Sequence, residues 1–425
     1  MTRTKALSTA ALLLTVLLLP LATSAADSTV TVNTTWSGTV SLSGNVTVAS
    51  GATLVVAPGT EVDAGSFSIV VEGTLEADQA SFFSSVTPVT QGSHGQGLWP
   101  GIIVEPGGVV DLNEVMISNA SAGVLVKGNL SATNVVFNDA YRGISVVGGH
   151  ATVNDFTANR MDYEALYVES GTLSLETGLA NEVAVGLANH GDANLSDFTV
   201  REAGVGVQSQ AGIMELHGLG LVNASVGIAT VSGAQTNISS VQAAGLALAL
   251  DLSDADDFTL ADAQLAGHRL AVAQGATDFV LHDLAFTGNL NETRPAMDVR
   301  CDGECRLQTA SILNTNLGLA WSGSGTFSME NVSVSSTLQA VEAAGDGSPQ
   351  WVNLSVQSDD TGIVLQTPSS SLTDVDVELT APGVGMDVLG GHHVWSNILI
   401  HKPFMSADQT SVSYTHLTLP TNREV

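Results

Sequence analysis

The chain has 425 residues and a net charge of −30, from 42 acidic against 12 basic side chains. That balance repels nucleic acids and anionic membrane surfaces, and disfavours a polyanionic partner unless a divalent cation intervenes. Charged residues are 13%, aromatic residues 5%, and glycine occurs 43 times, which suits short strands and tight turns rather than amphipathic helices.

At the N-terminus, Arg3 and Lys5 precede a largely apolar run from Ala6 to Ala22, closed by Ser24, Ala25 and Ala26. This is the pattern of a secretory signal, so residues 1–26 are expected to be removed from a protein placed outside the cell or on its surface. An uncleaved anchor is the rival reading, against which Pro20 and the small-residue exit stand.

Residues 27–100 read as an N-terminal cap with the first coils of a rod. Val46-Thr47-Val48, Leu54-Val55-Val56 and Ile69-Val70-Val71 are short runs of β-formers. Gln79 to Gln96 lacks the pattern and is expected to loop out. Trp99-Pro100-Gly101-Ile102 then re-enters the rod.

From residue 101 to about 410 a small residue followed by alternating aliphatics recurs. Gly101-Ile102-Ile103-Val104, Gly123-Val124-Leu125-Val126, Gly143-Ile144-Ser145-Val146 and Ala165-Leu166-Tyr167-Val168 open the series. It continues at Gly186, Gly206 and Gly227, and returns at Ala296, Gly318, Ala340, Gly362 and Gly385, in steps of 20 to 23 residues. The gap between Gly227 and Ala296 fits three more coils, with blurred anchors at Leu246-Ala247-Leu248 and Leu270-Ala271-Val272. Asn119, Asn138, Asn181, Asn223 and Asn314 lie shortly before the anchors. They suggest either a stacked asparagine ladder at a left-handed turn or ordinary turn preference.

The period is too short for a βαβ unit or a propeller blade, and the leucine-rich repeat signature is absent. The expected fold is all-β: a right-handed parallel β-helix solenoid with coils of about twenty-two residues, stacked through parallel ladders with aliphatic columns pointing inward. About seventeen coils would make a rod on the order of 80 Å long. By this repeat pattern, roughly Val46 to Pro403 resembles secreted or surface β-helix repeat proteins of the pectin-lyase-like superfamily.

Enzymes of that superfamily cleave acidic polysaccharides, and the resemblance implies a search for their sites. Lyases gather calcium-binding carboxylates and a basic residue, and hydrolases gather several Asp with Gly-His-Gly and Arg-x-Lys elements. Asp256-Asp257 and Asp359-Asp360 are lone pairs, and Gly148-Gly149-His150 and Gly390-Gly391-His392-His393 match only fragments. No catalytic residue is therefore assigned. The reading is a non-catalytic extracellular protein that binds glycans or cell-envelope components, or acts as an adhesin or spacer. The alternative is a polysaccharide lyase or glycoside hydrolase with a divergent acidic site.

Asp251, Asp254, Asp256 and Asp257 form the densest acidic cluster. They could hold calcium, the one cofactor considered, or form a solvated loop. Cys301 and Cys305 are expected to form a local disulfide in an exported protein; a metal pair would lack further ligands. His392, His393 and His401 could bind a transition metal or be isolated surface groups. Ten Asn-x-Ser/Thr sequons, at Asn33, Asn45, Asn119, Asn129, Asn194, Asn223, Asn237, Asn291, Asn331 and Asn353, are glycan acceptors or chance products of the composition.

Val412 to Thr421 reads like the translation of a transposase-based sequencing adapter. Residues 411–425 are accordingly expected to be non-native. The natural chain would then continue differently past about Thr410, and a membrane anchor could lie in that missing part.

Overall fold

The computed structural model describes residues 26–86, 97–231 and 233–402. The expected signal segment up to residue 25, residues 87–96 of the expected excursion, and the adapter-like tail lie outside the described residues.

Every described strand pairing is parallel, and each strand pairs with the chain roughly one period away. Ile102 pairs with Val124 and Val124 with Ile144. Leu187 pairs with Val207 and Val207 with Ile228. Leu319, Val341, Ile363 and Met386 continue the same column. The result is a parallel β-solenoid of about 16 turns of roughly 22 residues, with no helix among the described residues. At about 4.8 Å per turn the stack is on the order of 80 Å long.

The alternation seen in the sequence is what closes the core. Val124, Ile144, Leu166, Leu187, Val207 and Ile228 are fully buried, each beneath its equivalent in the next coil. One continuous apolar cluster runs from Val48 to Val377. Large side chains fill its wide places: Trp99, Phe137, Phe156, Phe198, Trp321 and Trp351 are almost completely enclosed. No ordinary two-layer domain is needed, because each coil buries its apolar edge on its neighbours.

The small anchors have a steric cause. At Gly186 a β-carbon would lie 2.4 Å from the carbonyl oxygen of Gly206, and at Gly318 it would lie 2.2 Å from that of Ala340. The position points at the backbone of the following coil, so Gly and Ala dominate it.

The blurred region contains three coils, as the spacing implied, but its anchors shift. Ile228 pairs with Leu250, Leu250 with Ala271, and Ala271 with Met297. The first anchor is thus Ala249-Leu250 rather than Leu246-Ala247-Leu248. Ala249 lies 22 residues after Gly227, so the period is regular there; the alternation from Leu246 to Leu250 carries no glycine to mark which alanine is the anchor, and the register shift between Ala243 and Leu246 falls in the pairing with the next coil. The last of these coils carries a non-strand segment between Thr287 and Pro295.

The expected excursion begins later than Gln79. Ser81–Phe83 is a rung of the solenoid, paired with Glu61–Asp63 on one side and Met116 and Ile117 on the other, and Phe82 is fully buried. A three-residue strand shows too little alternation to be read alone. Trp99 does re-enter the stack, bridging to Ala120 and donating its indole N–H to the Ser118 carbonyl at 2.8 Å.

Turns at two corners are left-handed at residues other than glycine. Asn119, Asn223 and Asn314 adopt positive φ, whereas Asn138 and Asn181 do not; the residues after them, Asp139 and Glu182, do. A more regular column lies elsewhere, through Asn134, Asp155, Asp262, Asn331, Asn353 and Asp374, all with φ near +50 to +57°. Short polar side chains tolerate this region best, and here they also bond along the stack. The Asn353 amide donates to Asn331 Oδ1 at 2.7 Å, and Asn397 to Asp374 Oδ1 at 2.7 Å. The expected corner is bonded in the same way, Asn159 donating to Asn138 Oδ1 at 3.1 Å and Asn223 to Glu202 at 2.7 Å, so the described asparagines link neighbouring coils in pairs at both corners.

Candidate functional site

All three described tyrosines gather on one outer patch of neighbouring coils. Tyr141 and Tyr163 occupy equivalent positions one turn apart, since the Tyr163 N–H donates to the Tyr141 carbonyl at 3.0 Å. Their rings stack with centroids 4.5 Å apart. Arg142 and Glu164 follow them in the chain and meet as an ion pair at 2.6 Å. The Arg142 guanidinium also lies over the Tyr167 ring, 4.2 Å from its centroid. The Tyr167 and His190 rings also meet edge-on, with centroids 5.8 Å apart.

Local pattern places each group. Arg142 and Glu164 stand immediately before the anchors Gly143 and Ala165. Tyr167 follows the buried Leu166 and therefore points outward. Tyr163 is 47% exposed while Glu164 is only 8% exposed, so an accessible ring borders a held carboxylate. Burial and the neighbouring Tyr163 hydroxyl hold the Tyr141 phenol above its usual range. Burial raises Tyr167 too, aided by Glu169 and Glu164 and opposed by Arg142. Both phenols are neutral at ordinary pH and can donate as well as accept hydrogen bonds. Ser145, one turn before Tyr167 on the same outward line, has a buried hydroxyl without a hydrogen-bond partner.

A second polar cluster interrupts the same face further along the rod. Arg269, with a side chain 9% exposed, donates to the Pro295 carbonyl at 3.1 Å and approaches Asp298 at 3.5 Å. Burial lowers its pKa, with nearby Arg294 adding to the effect. In the segment after Thr287, Arg294 holds Glu292 through contacts of 2.9 and 3.2 Å. Hydrogen bonds from the Arg294 side chain, and then from the Arg294 and Thr293 backbone N–H groups, bring the Glu292 carboxyl down from 4.5 to about 2, against the opposing effect of burial.

The folded Glu292 carboxyl thus titrates below its unfolded value. Its contribution is complete above about pH 4.5 and disappears as the pH falls toward 2. Hydrogen exchange at the amides of residues 289–294, corrected for intrinsic rates, is expected to accelerate across that window. Glu292→Gln should make exchange there fast and insensitive to pH. Unchanged protection at pH 2 in the native chain would refute this role.

The sequence-derived candidates do not converge. Among the described residues, no three His, Cys, Asp or Glu side chains come together as a metal site. Asp251 accepts from Ser253, Asp254 forms a left-handed corner, and Asp256 accepts the Gly233 N–H at 3.0 Å. Asp256 and Asp257 line a shallow, open depression of about 470 Å³ with Gly212, Ile213 and Gln235. His393 bonds to Ser370 and stacks on Trp395, while His401 faces Asp376 at 3.5 Å, so these two serve separate contacts, and His392 is exposed. Cys301 and Cys305 are disulfide-bonded and fully buried, so the bridge is part of the core. Of the ten sequon asparagines, Asn45 and Asn119 are half-buried and the other eight exposed.

The tyrosine patch was not singled out in the sequence, although a signal was present. Setting the period beginning at Tyr141 above the one beginning at Tyr163 places Tyr-Arg directly over Tyr-Glu.

No protein-family model matches the chain, and no curated protein matches it. Among solved structures it is similar to the tailspike protein of Escherichia coli bacteriophage HK620 in complex with a pentasaccharide. Identity is 14%, over 84% of this chain and 74% of that one, with a TM-score of 0.36. It is also similar to the catalytic domain of a GH87 α-1,3-glucanase in complex with nigerose. There identity is 10%, over 89% of this chain and 62% of that one, with a TM-score of 0.21. Those scores describe distant likeness in architecture and decide nothing about a ligand for this chain.

Proposed function

We propose that this protein is an exported, non-catalytic β-solenoid that binds glycans through the patch of Tyr141, Arg142, Tyr163, Glu164 and Tyr167. The single observation that carries the reading is the gathering of three tyrosines around a fixed Arg–Glu pair on an otherwise aromatic-poor chain. An aromatic ring offers an apolar face to the C–H side of a sugar and a hydroxyl to its polar rim. An arginine held by a carboxylate presents its remaining N–H groups in a fixed fork, and the carboxylate accepts from sugar hydroxyls. Glu164 is committed to Arg142, which suits a fixed acceptor rather than one of two carboxylates flanking a scissile bond. Export is supported by the buried disulfide.

The test is a glycan array, with and without calcium, followed by titration of the best oligosaccharide against the native chain and Tyr167→Ala. Loss of a stacking ring should weaken binding about tenfold or more, on the order of 1.4 kcal/mol, with the thermal midpoint nearly unchanged. Equal binding by both chains would overturn the assignment. Release of new reducing ends during incubation would favour a hydrolase instead.

A further inference from the structure

From Arg142 to Arg269 one line of residues runs along the rod, a single residue per coil. After Arg142 and its partner Glu164 come Val185, Val205, Val226, Leu248 and Arg269, aligned by successive strand pairings. Val185, Val205, Val226 and Leu248 are all partly exposed. A parallel line, three residues further on in each coil, carries Tyr167, the buried Ala188, Gln208, Ala229 and Asp251. The two lines share one face. Arg142 reaches Tyr167 across it, and Arg269 reaches Asp298 across it by the same one-coil diagonal.

The line from Val185 to Leu248 is therefore an apolar ribbon, bordered on this face by Gln208, Ala229 and Asp251, with an arginine–carboxylate pair at each end. It is one side chain wide, so it cannot supply the roughly 800 Å² that each partner gives to a stable protein interface. Its four aliphatic positions extend over roughly 14 Å, and the two arginines are about 29 Å apart at one coil spacing per step. That spacing, about 4.8 Å, is close to the length of one pyranose unit in an extended chain. Each arginine is already paired with a carboxylate, and the whole chain carries −30. Neither the ends nor the surroundings favour an anionic polymer.

We infer that the ligand is a neutral, straight polysaccharide lying along the solenoid axis. One stretch stacks on the tyrosine patch, the next lies with its C–H faces on the Val185–Leu248 ribbon, and Arg269 meets the far end. This rests on the tyrosine patch being the glycan site and extends it by several subsites. A straight path selects pyranoses linked equatorially at both C1 and C4, such as β-1,4-glucans and β-1,4-mannans, because axial or 1,3 linkages turn the chain away from a straight strip.

The test uses β-1,4-linked glucose and mannose oligosaccharides of two to eight units against the whole chain. Affinity is expected to rise with length to about six units, one for each coil step, and then level off. Val226→Asp should remove about tenfold of the hexasaccharide affinity and leave the disaccharide unchanged, and the nearly isosteric Val226→Thr should give a smaller loss. Thermal midpoints check that both variants remain folded. Arg269→Ala should weaken only the longest ligands. A flat dependence on length, or a Val226→Asp chain equal to the native one on the hexasaccharide, overturns the axial path. If Tyr167→Ala still abolishes disaccharide binding in that case, the tyrosine site stands and only its extension fails. If disaccharide binding is absent or indifferent to Tyr167→Ala, both fail together.

Discussion

Gly171→Val is expected to destabilise the rod by on the order of 4 kcal/mol, combining backbone strain with overpacking. Gly171 has φ +90°, and a β-carbon there would lie 2.2 Å from the Gly149 carbonyl oxygen in the preceding coil. A β-branched residue cannot adopt that backbone comfortably, and the obstacle is main chain, which cannot swing aside. Gly51 is the control. It has φ +81° but nothing within 4 Å of a β-carbon, so Gly51→Ala should cost only about 1 kcal/mol of strain. Chemical denaturation of the two variants measures the difference. Equal costs would mean that coil-to-coil contact at Gly171 does not limit the stack.

The second large effect concerns Arg142. Arg142→Ala removes the partner of Glu164, whose side chain is 11% exposed, and takes away the cation lying over Tyr167. An enclosed carboxylate left unpaired costs about 3 kcal/mol, reduced in proportion as Arg142 itself is partly open to water. Glycan affinity should fall by more than tenfold, because the ring loses its support and the ligand loses a donor. Arg142→Lys keeps the charge but not the planar fork, so it should restore most of the stability and little of the affinity. Full recovery of binding by lysine would show that charge alone matters there.

Much of the fold was legible because a solenoid writes its structure into the chain once per turn. The small residue ahead of the aliphatic pair is required by a carbonyl in the next coil, and the aliphatics by the core. Legibility failed where the local pattern lost contrast. In Leu246-Ala247-Leu248-Ala249-Leu250 two alanines compete for the anchor position and no glycine decides between them, and the Ser81–Phe83 rung was too short to declare itself.

The site was harder to read than the fold. Tyr141, Tyr163 and Tyr167 are unremarkable as a local string, and become a cluster only when successive periods are superimposed. Arg269 and Asp298 are separated by an irregular coil, so superposition by a fixed period misses them. The dense Asp251–Asp257 run attracted attention by composition alone, yet its members face different hydrogen-bond donors.

The chain contains four tyrosines, of which only Tyr414 lies outside the described residues. Labelling the tyrosine rings and following their NMR signals during titration with a bound oligosaccharide therefore reads the site almost in isolation. Tyr141, Tyr163 and Tyr167 should shift together and saturate with the same dissociation constant as bulk binding, while Tyr414 stays in place. Saturable binding with all three ring signals unmoved would contradict the assignment of the site.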